Sequence, residues 1–236
     1  MLKNGRDILT KPFRELYFIF TYPIISKLYN PTNIEQPLNV KGTIIIVECW
    51  FQKNTYHSFW KSYLERKGYK TILLSFTNMN EEFAVTAKKI DRFISDQKFK
   101  NFTLVGISAG AIACLYYLNH FNGWEKTKIF ISVAGPLHGA WMAYLIYFTK
   151  KGRSLLPSSS FLKELIRMKI PENKMVTMSA TVDELVPLNS SVLDGIPSYI
   201  IKVYGHNFFH LDHKETYDLI AKLASDSYSS SSKLYC

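Results

Sequence analysis

The sequence predicts an α/β fold with a sheet of about six mainly parallel strands and flanking helices. Three observations predict it. From residue 43 onward, short β-branched apolar runs alternate with longer segments of helical period, the pattern of a parallel sheet with crossover helices. The run 102–105 passes through Gly106-Ile107-Ser108-Ala109-Gly110 directly into the helical stretch 109–118, a strand, tight turn and helix in sequence. The chain is also long enough, at 236 residues, for one ordinary domain with a sizeable core. Its 47% hydrophobic and 20% charged residues exclude a disordered chain.

The elements follow in order. Residues 42–47 read as a fully buried strand, and 57–67 as a helix closed by Gly68 at its C′ position. The next strand is 70–76. Asn80 is placed to cap a helix over 81–96, with Glu81 and Glu82 in the first turn, where the macrodipole favours them. A third strand over 100–106 enters the serine turn. Strands over 128–134, 175–180 and 199–204 follow, and a helix over 214–223 closes the domain. Between the fourth and fifth strands lies a lid-like insertion, about 137–172, longer than a simple crossover needs. The expected division is an N-terminal helical extension over 1–40, a main domain over 41–225 and a flexible serine-rich tail over 226–236.

The formal net charge of +10 favours anionic partners. The lysines are scattered and no arginine-aromatic patch is present, so nucleic-acid binding is not expected. What remains is a solvated basic surface, or attraction to anionic lipid. Lys3, Arg6, Lys11 and Arg14 precede the apolar stretch 16–25, which is too short to span a bilayer and is interrupted by Pro23. With Glu15 inside the boundary and no small-x-small site, a packed helix or one at a membrane interface is favoured over a signal peptide. A cytoplasmic or membrane-peripheral place is accordingly expected rather than secretion. Cys49, Cys114 and Cys236 lack metal-ligand spacing, and neither metal nor organic cofactor is expected.

Gly106 to Gly110 form a G-x-S-x-G turn, in which glycines two residues either side of a serine let strand and helix approach and leave the hydroxyl exposed. A bare tight turn needs small residues too, so the serine acquires chemical meaning only with partners. A serine hydroxyl is a poor nucleophile until a base takes its proton, and that base needs a group to hold its tautomer. Such partners come in the order Ser, Asp or Glu, His from the carboxyl ends of later strands. Asp183 follows the fifth predicted strand and His206 the sixth. Glu184 competes for the acid, His210 for the base, and His138 lies near the same edge.

These residues resemble α/β-hydrolase-fold triacylglycerol lipases and related esterases, especially short bacterial-type forms. The likeness runs over about 42–223. Besides the elbow, Ala134-Gly-Pro-Leu-His-Gly-Ala-Trp-Met-Ala-Tyr144 is similar to the stretch that opens the lid region in such lipases. Thr181-Val-Asp-Glu-Leu-Val-Pro-Leu-Asn-Ser-Ser191 is similar to the acid loop, and Gly205-His-Asn-Phe-Phe-His-Leu-Asp212 to the histidine loop. The resemblance implies an α/β-hydrolase fold lacking the first two strands of larger members. It also implies Ser108 as nucleophile, His206 as base and Asp183 as orienting acid, with the spacing to Asp212 selecting His206 over His210. Backbone N–H groups of Trp50 and Ala109 would form the oxyanion hole.

The chain departs from the family at the first strand's end, where Glu48 and Cys49 replace the usual His-Gly or Pro-Gly. A carboxylate there opposes a developing negative charge unless it is protonated or paired. The implied activity is hydrolysis of a lipid-like or small hydrophobic carboxylic ester through an acyl-serine. Alternatives are a thioesterase or acyltransferase with the same triad, or a non-catalytic lipid- or protein-binding relative. The apolar run 141–148 reads either as a buried helix or as an acyl-binding wall or lid, with Trp141, Leu145 and Phe148 as the contacts.

Overall fold

Strand β1 (Gly42–Glu48) carries three consecutive isoleucines and a valine, and the pleat sends them alternately to opposite faces. Ile45 and Val47 join one apolar cluster, Ile44 and Ile46 the other. A strand buried on both faces belongs in the interior of a parallel sheet covered by helices on both sides. The computed structural model, which describes residues 40–48 and 57–225, has that architecture. The expected extension over 1–40, except residue 40, and the tail over 226–236 lie outside the described residues.

Six strands form one sheet in the order β2-β1-β3-β4-β5-β6, and every pairing is parallel. The others are β2 (Tyr69–Ser75), β3 (Phe102–Ile107), β4 (Thr127–Val133), β5 (Met175–Val182) and β6 (Ser198–Tyr204). The order reverses direction between β1 and β3. That is the switch point, where a crevice opens beyond the carboxyl ends of the strands.

Helices α1 (Ser58–Arg66), α2 (Phe83–Asp96), α3 (Ala109–His120) and α4 (Gly123–Lys126) link the first four strands. After β4 come a 3₁₀ turn (Trp141–Ile146), α5 (Lys150–Ser154) and α6 (Ser160–Arg167). Short helices α7 (Leu188–Ser191) and α8 (His206–Leu211) follow β5 and β6, and α9 (Lys214–Ala224) closes the chain. α2, α3 and α6 bury one face of the sheet, α1 and α9 the other. On the second face Trp60 stacks on Tyr217 at 3.8 Å between ring centroids, and its indole N–H donates to the Leu211 carbonyl at 2.6 Å. The Tyr217 hydroxyl donates to the His210 carbonyl at 2.6 Å, so α8 is bolted to the core at its end.

One expectation is corrected and one alternative is decided. The helix anticipated from residue 81 begins at Phe83 with Glu82 at its cap, not Asn80. The Asn80 N–H turns back to the Asn78 side chain at 3.0 Å, a local Asx-type bond that competes with helix initiation. The Glu81 carboxylate instead accepts from Thr86 Oγ1 and Lys89 Nζ. The run 141–148 is not a buried helix. Residues 141–146 form a 3₁₀ turn in which Ala143 alone is buried, and Tyr147 and Phe148 follow exposed.

Candidate active site

Gly106 and Gly110 make the turn sterically possible. A Cβ on Gly106 would lie 2.5 Å from Ala111 Cα, and one on Gly110 would lie 2.2 Å from the Val47 carbonyl oxygen. α3 therefore packs against β3 and the end of β1 with no room for a side chain at either position. Between them Ser108 holds φ 51° and ψ −126°, a conformation that costs a non-glycine residue roughly 1–3 kcal/mol. Its own N–H is secured by the Val133 carbonyl at 2.8 Å. The strain sets the hydroxyl at the head of α3, where the helix dipole favours negative charge. Ala109, buried, is the first residue of that helix.

Two loops complete the line. Ser108 Oγ lies 3.1 Å from His206 Nε2, and His206 Nδ1 lies 2.7 Å from Asp183 Oδ2. Asp183 Oδ1 accepts from the N–H groups of Leu185 and Val186 at 2.9 and 2.7 Å. The carboxylate is thus fixed by its own turn, with one oxygen left for the ring. A carboxylate at Nδ1 places the imidazole proton there and presents the Nε2 lone pair to the serine.

The competing residues have other partners. The Glu184 carboxylate accepts from the backbone N–H of His206 at 3.2–3.3 Å, holding the first turn of α8 rather than the ring. His210 Nδ1 lies 3.2 Å from His57 Nε2. His138 Nε2 meets the Val192 carbonyl at 3.1 Å. Ser190 and Ser191 bind the acid loop to its surroundings: Ser190 Oγ donates to the Gly139 carbonyl, and Ser191 Oγ meets Ser179 Oγ at 2.7 Å.

Ser108 and His206 open into a cavity of about 200 Å³ whose walls are mainly apolar, among them Ile107, Met142, Leu145, Ile146 and Val186. Leu145 lines this space, while Trp141 and Phe148 stand outside it at 53% and 68% exposure. The 3₁₀ geometry separates Leu145 from Trp141. With three residues per turn, Trp141 and Tyr144 eclipse one another on an outward ridge, followed by exposed Tyr147. Phe148 lies beyond the turn, which ends at Ile146, and Leu145 reaches the cavity mouth while remaining 64% exposed. Trp50 and Cys49 lie outside the described residues.

Glu48 also lines the cavity, and its carboxylate is paired with His57 Nδ1. Ser75 Oγ donates to its second oxygen at 3.2 Å. His57 was not legible as a site residue, because nothing local in the sequence marks a histidine at the start of α1 as facing the end of β1. His210 has a pKa well below the usual value, first because burial disfavours its charged form and then because His206 and His57 add like charge.

No protein-family model and no curated protein matches this chain. Solved structures do. The mature lipase BlEst2 of Bacillus licheniformis is 16% identical, covering 82% of this chain and 96% of its own, with a TM-score of 0.63. An esterase from Exiguobacterium antarcticum is 14% identical, covering 79% and 93%, with a TM-score of 0.62. A bromoperoxidase from Bacillus anthracis is 13% identical, covering 77% and 91%, with a TM-score of 0.57. At these identities the likeness establishes the fold: the chain is an α/β-hydrolase in architecture.

Proposed function

We propose that this protein is a serine hydrolase that cleaves carboxylic esters with an apolar group, through an acyl-Ser108 intermediate. One observation carries the reading: the hydrogen-bonded line Ser108–His206–Asp183 at the mouth of an apolar cavity. His206 Nε2 takes the serine proton as Oγ attacks the ester carbonyl, while Asp183 holds the ring and stabilises the imidazolium. The Ala109 N–H at the head of α3 faces the developing oxyanion, and the Trp50 N–H is the proposed second donor. His206 then protonates the leaving alcohol. In the second half it takes a proton from water, which attacks the acyl carbon, and returns that proton to Ser108 Oγ as the acid is released.

The apolar walls favour a hydrocarbon acyl or alcohol group, and the small cavity favours a short or slender one. The ridge of Trp141, Tyr144 and Tyr147 beside it, on a chain of net charge +10, makes this side the one that meets a lipid surface. Glu48 is turned toward His57 and Ser75 rather than left free beside the oxyanion. The test is trapping of the intermediate. Rapid acid quench of the protein with p-nitrophenyl butyrate, followed by peptide mass spectrometry, is expected to find butyryl on Ser108. An unmodified Ser108 during turnover would overturn the reading.

A further inference from the structure

Three titratable side chains that the triad does not use lie in series behind the cavity. The Glu48 carboxylate, at the end of β1, pairs with His57 Nδ1 at the start of α1. His57 Nε2 lies 3.2 Å from His210 Nδ1, with the two rings nearly parallel at 25°. The His210 ring in turn meets the His206 ring edge to face, at 4.9 Å between centroids and 78°. All of these side chains are buried.

Burying a carboxylate and two imidazoles is costly, and apolar residues of similar volume generally stabilise such a place as well or better. Their position suggests a return other than stability. Glu48 is the last residue of β1, and its Cα and the Val47 carbonyl are the atoms against which the head of α3 packs. His210 sits on α8, one helical turn beyond His206. The line thus joins the strand that leads to Trp50 to the helix that carries the base.

We propose that Glu48, His57 and His210 form a positioning relay, a buried line of side chains in contact that fixes the His206 ring relative to Ser108 and the oxyanion side of the site. The inference rests on the proposed role of His206 as base. His57 Nε2 and His210 Nδ1 share a hydrogen bond, and the Glu48 carboxylate stands against Nδ1 of the His57 ring. Burial disfavours the charged form of His210, so no second cation stands against the imidazolium formed on His206. Among the described residues, the Ser75 hydroxyl also meets Glu48, and Asp183 holds His206 from the far side.

Variants kept close in shape test this with p-nitrophenyl butyrate. His210→Phe retains the ring but not Nδ1, and Glu48→Ala removes the anchor. Each is expected to lower kcat about tenfold to a hundredfold with KM within about twofold, the signature of a misplaced base rather than lost binding. His210→Asn and Glu48→Gln, which restore a hydrogen-bonding atom near the lost one, are expected to recover at least half of the logarithmic loss. The double variant His210→Phe/Glu48→Ala should be no slower than the worse single variant, because both cut one line.

Wild-type kcat in all variants, or losses that multiply in the double variant, would overturn the relay and leave the triad reading standing. A wild-type protein without esterase activity would overturn both. Should the variants fail to fold, ring-¹⁵N-histidine spectra of the wild type decide. A slowly exchanging Nδ1–H on His57 and a neutral His210 are expected, and a charged or solvent-exchanging His210 would contradict the relay.

Discussion

Asp183 and Glu184 are neighbours with the same chemistry, and the fold gives them different tasks. Asp183 holds the Nδ1 side of the His206 ring, while Glu184 holds the backbone of α8. Asp183→Asn is therefore expected to lower kcat by about 10⁴-fold, through loss of the charge and the wrong tautomer. Glu184→Gln, which keeps an acceptor for the N–H, should cost no more than about tenfold, since a neutral hydrogen bond replaces a charged one. Steady-state kinetics of the two variants separate the roles, and the reverse ranking would reassign the acid. The sequence could not make that choice, because it depends on which way the turn after β5 closes. The serine was legible because its two flanking glycines answer a steric demand made within five residues. His57 was not, because its partners Glu48 and His210 come from β1 and α8.

At the scale of elements, the elbow depends on α3 lying against the end of β1. Gly110→Ala would drive a methyl into the Val47 carbonyl, where backbone cannot yield, and is expected to destabilise the fold by about 1–3 kcal/mol or more. Denaturant unfolding measures the loss. The run 141–148 shows where sequence reasoning stops. Apolar composition does not distinguish a buried helix from an exposed ridge, and a 3₁₀ turn changes which residues share a face. The turn gives Leu145 to the cavity mouth and leaves Trp141 outside it, and Phe148, beyond the turn, is also outside. Leu145→Ser is thus expected to reduce kcat/KM for butyrate over acetate esters by roughly 10-fold or more, whereas Trp141→Ser should leave that ratio unchanged. The start of α2 was misplaced for a smaller reason. The Asn80 N–H has a nearer acceptor in Asn78.

The whole molecule was read most easily, because a parallel sheet covered on both faces imposes β-branched runs and crossover helices on the entire chain. Its response to acid follows from His210. Near neutrality neither folded nor unfolded chains protonate that ring. As pH falls through the ordinary histidine range, the unfolded chain takes up a proton that the buried ring does not, so stability falls. Melting temperature should fall from pH 7 to pH 5, and less steeply in His210→Phe. Burial pushes Asp218 up, but hydrogen bonds from Lys214, Lys67 and Tyr63 outweigh it and hold its carboxyl well below the usual range, so its contribution is lost only at lower pH. The central claim is that folding brings Ser108 and His206, 98 positions apart, into a working pair. Labelling of the purified protein with a fluorophosphonate probe tests it most directly, with Ser108→Ala and His206→Ala alongside. The account predicts labelling of the wild type that both substitutions abolish; a folded wild type left unlabelled in buffer and in detergent would contradict it.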